Sequence, residues 1–169
     1  RNRDVAEDWL RNFFAKERAA GRRVFAGFDF PFGYPKGFSK ALTGSRDPFA
    51  VWDWLQARLE DSPQSNTRFQ LAGTINKTLG AGAGPFWFSP PSLEVEGLPK
   101  NKSTYANPFP EKRECEHQAS GTFTCWQMGG AGAVGGQVFT GLPVLHRLRQ
   151  TCNASVWPFE PLKTPIAFV

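Results

Sequence analysis

Cysteine and histidine are scarce in this chain of 169 residues, which holds three of the first and two of the second. Cys115, Cys125 and Cys152 are odd in number, far apart and without a Cys-x-x-Cys pair, which argues against a disulfide framework. With only His117 and His146 beside them, a structural zinc site lacks ligands as well. No Ser or Cys stands in a nucleophile-elbow context, and His146 sits in a helical pattern without partners, so a His-dependent triad is not expected. No apolar run approaches the ~20 residues of a membrane span, and no signal-peptide pattern is present. The expectation is therefore a soluble protein of the reducing cytoplasm with no membrane partner. The sequons at Asn76, Asn101 and Asn153 would matter only on a secretory route.

Aromatics, glycine and proline are abundant instead: 16 Phe, 6 Trp, 17 Gly and 14 Pro predict an aromatic-rich core joined by many irregular loops. At 40% hydrophobic and 21% charged residues the composition is that of one ordinary globular domain over residues 1–169. A net charge of +5 is compatible with nucleic acid, but the basic residues fall in short scattered groups, so the excess assigns nothing by itself.

The central stretch is Gly21 to Phe38, GRRVFAGFDFPFGYPKGF. Val24 to Phe30 alternates with apolar residues on both sides, which predicts a strand buried on both faces. An acid in such a strand is tolerable only near its carboxyl end, where Pro31 and Gly33 stop the ladder and where open α/β sheets keep ligands. Asp29 is thus a candidate site residue; its alternative role is to hydrogen-bond the turn backbone of 31–33. Ahead of it, Asp4 to Ala20 reads as an amphipathic helix with Val5, Trp9, Leu10, Phe13 and Phe14 as the apolar stripe. Asp4 and Glu7 form a capping-box pattern at its start. Helix and strand together resemble the second half of a βαβ unit.

Further along, Tyr34 to Gly44 predicts a turn or short helix. Asp47-Pro48 starts a helix bearing Phe49, Trp52, Leu55 and Leu59, and Asn66 caps another with Leu71, Ile75 and Leu79 on one face, ended by Gly80. Residues 80–110 are the least regular, a length typical of a lid, a binding loop or a disordered segment. Its Phe86, Trp87 and Phe88 either pin the loop to the body or stack on bases. Glu111 to Gln118 is a short polar segment with helical potential. Gly130, Gly132 and Gly135 form a GxGxxG, which a dinucleotide site would place between a strand, here Thr122 to Met128, and a helix. The better helix start is Thr140, so these glycines are more simply read as letting backbone pass close to backbone or ligand. Finally Asn153 to Phe159 predicts a strand ending at Glu160, which repeats the arrangement at Asp29: a carboxylate after an apolar strand and beside a proline turn. Two such acids are suited to a hard divalent cation.

The strings VFAGFDFPFGYPKGF, FAVWDWLQARLED, NTRFQLAGTIN, GPFW, EKRECE, WQMGGAGAVGGQVFTGLPVLHRLR and VWPFE, in this order, resemble a bacterial family of unknown function described as predicted RNase H-like nucleases, in particular its alphaproteobacterial branch. The match spans nearly the whole chain. It implies an α/β ribonuclease H-like three-layer fold with a mixed central sheet, and a divalent-metal-dependent phosphodiester hydrolase using Mg2+ or Mn2+ on nucleic acid. Asp29 matches the family's acid in FDFPFG, while Glu116 and Glu160 resemble its later acids, so these three are the implied catalytic and metal-binding residues. Arg113 suits a phosphate through its planar fork, and Trp87 is a candidate substrate contact. Relatives also begin with an Asp-bearing strand like VVDWSA and continue past VWPFE into a strand like AEIYPS. Neither context stands here, which implies a partial domain with a strand missing at each end and a site short of one carboxylate. A non-catalytic binding or scaffold protein on the same fold is the alternative, and dinucleotide binding through Gly130, Gly132 and Gly135 is a third.

Overall fold

The structure, a computed structural model, describes residues 3–169. It is an α/β arrangement of five α-helices and a small sheet: α1 (Arg3–Ala19), β1 (Val24–Ala26), α2 (Phe38–Thr43), α3 (Pro48–Gln56), α4 (Arg68–Gly80), α5 (Gly135–Cys152), β2 (Ala154–Val156) and β3 (Ile166–Phe168). The three strands are all parallel, in the order β1-β3-β2, with Val24 and Ala154 both opposite Ile166. The expected mixed sheet is thus replaced by a purely parallel one among the described residues. The segment after VWPFE is not missing its strand: Ile166, Ala167 and Phe168 are the buried centre of the sheet.

Several expectations about the first third of the chain are corrected. β1 is an edge strand, not a strand buried on both faces, and Phe25 is 60% exposed. The strand also ends at Ala26, three residues before Asp29: Phe28 still donates its N–H to the Val169 carbonyl, and beyond it Phe30 bonds back to Phe28 in a turn. In α1 the apolar stripe is only half used: Phe14 is buried against Phe168, whereas Val5 and Trp9 stand 65% and 63% exposed. Asp4 lies in the first turn of α1, and the Glu7 carboxylate is buried against α5. The Glu7 carboxylate accepts from the Arg147 guanidinium of α5, 2.9 Å from its Nε, and from Arg11 one turn along α1. This ion pair ties α1 to α5, and its charge is tolerated at 4% exposure because two guanidinium groups and Gln56 complete the network.

The core lies between α3, α5 and the aromatics of the loops. α3 starts where Asp47 accepts the Phe49 N–H at 2.9 Å, as the Asp-Pro signal predicts. Trp52 and Leu55 of α3 and Leu142, Leu145 and Leu148 of α5 are almost fully buried. His146 is also buried, beside Gln150 and 3.8 Å from Asp53, and burial lowers its pKa, which suits a neutral structural imidazole. α5 begins at Gly135, earlier than Thr140, and no strand forms over Thr122 to Met128 apart from a single bridge from Gln127 to Trp87. Gly135 is required by close approach: a Cβ there would stand 2.6 Å from the carbonyl oxygens of Cys125 and Gln127. The rings of Phe88 and Phe123 cover Gly130 and Gly132, so the glycine loop packs on the chain's own side chains instead of opening to a pyrophosphate.

Residues 80–110 stay irregular apart from one 3-10 turn (Lys102–Thr104), yet they are anchored. Phe86 is fully buried among Phe38, Trp126 and Phe139. The buried Asn76 of α4 donates to the carbonyls of Phe86 and Gly97 and accepts the Phe86 N–H. The buried face of α4 is accordingly Phe69, Ala72, Gly73, Ile75 and Asn76, with Leu71 and Leu79 only half covered.

Candidate functional site

At the carboxyl ends of the three parallel strands lies a cleft of about 1200 Å³, the place where open α/β sheets bind ligands. Each strand supplies one wall: Phe28 to Lys36 follow β1, Trp157 to Phe159 follow β2, and Val169 ends β3. The opposite wall is the segment from Lys112 to His117, whose 3-10 helix spans Glu114–Gln118, with Phe123 beside it. The prolines of FPFGYP make the first wall rigid. Trp52 fixes it from below by donating its indole N–H to the Phe32 carbonyl at 2.8 Å.

Asp29 lines this cleft, exposed, with no hydrogen bond or ion pair to any described residue. It therefore does not brace the turn of 31–33. Glu116 lines the same cleft but is buried at 5% exposure and already engaged. Its carboxylate accepts the Arg113 backbone N–H at 2.6 Å and the Arg113 guanidinium at 3.0 Å, closing the start of the 3-10 helix. Arg113, Asp29 and Glu116 are thus brought together as walls of one cleft.

Glu160 and Trp87 are not among its lining residues. The Glu160 carboxylate accepts from Arg149 of α5, 3.1 Å from Nε, and from the Val156 N–H at 3.1 Å, so that it closes the outer edge of β2. The Arg149 hydrogen bond, aided by its charge and by the Val156 N–H, holds the Glu160 carboxyl below its ordinary value of 4.5. A depressed carboxyl stabilises the fold above the unfolded pKa, and this contribution is lost as pH falls through the folded value. Glu160→Gln is therefore expected to be less stable than the parent near neutrality, with the gap closing below about pH 4.5, as read from urea midpoints at each pH. A gap independent of pH would show that the carboxylate's charge is not what the β2 edge uses. Trp87 carries Lys102 over its ring at 5.2 Å and sits near Tyr105, which makes it a pin for the long loop.

The three implied metal acids do not form a common ligand set: Glu116 and Glu160 are each paired to an arginine, and only Asp29 is free. Among the described residues no group of three or more His, Cys, Asp and Glu side chains is placed to hold a metal ion. A two-metal centre built on these acids does not fit the arrangement.

Sequence reasoning missed the other functional character of the cleft. Phe123 and Trp157 are 58% and 57% exposed, unusual for large aromatics, and both line it. Lys36 and Lys112 line it too, and neither has a carboxylate partner among the described residues. The only advance signal was Phe123 standing alone in a polar segment. Cys115 is exposed in the cleft wall, whereas Cys125 beneath it is buried, and burial together with the Glu116 charge pushes its thiol pKa up. No family model, curated protein or solved structure matches this chain. Among the described residues no helix is long and apolar enough to cross a membrane.

Proposed function

We propose that this chain is a single-stranded nucleic-acid-binding domain, with a ribonuclease H-like version of the α/β fold and membership of the predicted RNase H-like family its sequence resembles. The carrying observation is the cleft at the carboxyl ends of β1, β2 and β3, which sets two exposed aromatic faces, Phe123 and Trp157, beside lysines without carboxylate partners. Stacking platforms lined by cations are what single strands need, because every base has a π-face and every link a phosphate. Lys36 and Lys112 meet the backbone, Phe123 and Trp157 take bases, and no step passes through a metal ion. Binding is expected in EDTA. Trp157→Ala, at an exposed position that the fold does not depend on, is expected to weaken an oligothymidylate roughly tenfold, since base stacking contributes ~1–3 kcal/mol per platform. Fluorescence anisotropy checks this, and unchanged affinity in Trp157→Ala would remove the reading.

A second reading, metal-dependent phosphodiester hydrolysis, is favoured by one observation: Asp29 is a free carboxylate in that cleft. The two readings predict opposite signs for Asp29→Asn. Under binding alone the substitution removes a like charge from the path of the phosphates, so affinity rises a few-fold. Under hydrolysis, saturable Mg2+ or Mn2+ binding and oligonucleotide cleavage both vanish with it.

A further inference from the structure

The cleft does not end at Lys36. A second groove of about 740 Å³ continues from it, and Gly33, Tyr34, Pro35, Lys36 and Phe159 line both. The groove's charged lining is Lys36, Lys40 and Arg46, with no acidic residue at all. All three cations are exposed and have no ion-pair partner among the described residues. The nearby Asp47 turns its carboxylate to the Phe49 N–H at the start of α3. Arg113, Arg147 and Arg149 are each neutralised by a paired acid, whereas these three neighbouring cations stand open along one groove and make a concentrated positive field.

The groove is also held in shape before any ligand arrives. Ser39 of α2 donates its hydroxyl to the carbonyls of Ser45 and Asp47, and Thr43 accepts the Ser45 N–H at 3.1 Å. The loop carrying Arg46 is therefore tied to the helix carrying Lys40. Ordering cost on binding is confined to the side chains, which favours recognition of a repeated anion. Three cations on three successive segments match successive phosphates of a chain better than one isolated anion.

From this geometry we infer that the groove of Lys36, Lys40 and Arg46 is the exit track for the phosphodiester backbone of a single strand whose bases occupy the main cleft. The inference rests on the nucleic-acid reading of that cleft and adds a path and a minimum length: a dinucleotide fills the cleft alone, whereas a longer strand also engages the groove. Both substitutable cations are exposed and unpaired, so Lys40→Ala with Arg46→Ala leaves the fold unburdened.

The experiment compares the parent with this double variant on a dinucleotide and on a ~12-nucleotide oligothymidylate across a salt series, with oligouridylate as a second arm. The double variant is expected to bind the long strand at least tenfold more weakly at low salt, with the slope of log affinity against log salt shallower by about 1.4. The dinucleotide is expected to bind both proteins alike. Equal affinity and slope for the long strand in both proteins would overturn the track and leave the cleft reading standing. Loss of long-strand binding in the double variant but none in Trp157→Ala would keep the groove and remove the cleft. Absence of any oligonucleotide binding by the parent overturns both.

Discussion

Asn76→Ala is expected to cost about 4 kcal/mol of folding free energy, a large share of the 5–15 kcal/mol that holds a domain together. The Asn76 amide is fully buried and makes three hydrogen bonds, to the Phe86 carbonyl at 2.7 Å, the Gly97 carbonyl at 2.8 Å and from the Phe86 N–H at 2.8 Å. Truncation strands three backbone groups in a dry interior, and each unmade bond costs about 1–3 kcal/mol when no water replaces it. The bridge between Trp87 and Gln127 also ties residues 80–110 to the body, but it does not reach the Phe86 and Gly97 groups that Asn76 serves. Asn76→Asp separates hydrogen bonding from volume. Its carboxylate still accepts the Phe86 N–H but faces two carbonyl oxygens, so its pKa rises on folding and its deficit grows as pH climbs above about 4. Urea midpoints with unchanged m-values check both variants. A loss under about 1 kcal/mol for the alanine variant would mean that water takes over the amide's bonds.

Asn76 also shows where sequence reasoning stops. Helical spacing placed Trp52 and Leu55 in the core, and Asp47-Pro48 placed the start of α3, because propensity and burial act over a few neighbouring residues. The same logic misjudged α1: its stripe is well formed, but burial is decided by what packs against it, and Val5 and Trp9 stay largely exposed, with Trp9 stacked on Phe13 of its own helix. Asn76 looked like a sequon because its partners lie 10 and 21 residues away and no local pattern encodes them. The acids divide the same way. Asp29 was legible as a carboxylate misplaced beside an apolar run, and it does stand free in the cleft. Glu160 looked equivalent by local pattern, yet Arg149, on the preceding helix, claims it. The basic groove was invisible because what sets Lys36, Lys40 and Arg46 apart is that folding gathers them along one groove without an ion-pair partner among the described residues, a property of the folded surface and not of the sequence.

Trp52→Ala is expected to cost about 3–5 kcal/mol, and to act on the cleft as well as on stability. Trp52 is fully buried, with edge-to-face contacts to Phe32 at 6.0 Å and to Phe49 at 5.2 Å. Its indole N–H serves the Phe32 carbonyl, and Phe32 lies in the cleft wall just before Gly33 to Lys36, the stretch that also lines the groove. Trp52→Phe tests the connection, because it keeps an aromatic ring but strands that carbonyl, a cost of about 1–3 kcal/mol. If the bond positions the wall, Trp52→Phe folds at moderate temperature but binds oligonucleotide several-fold more weakly. Its salt slope stays at the parent value, since no cation has been removed. A stability loss with parental affinity would instead assign Trp52 to the core alone and leave the FPFGYP wall to be held by its own prolines.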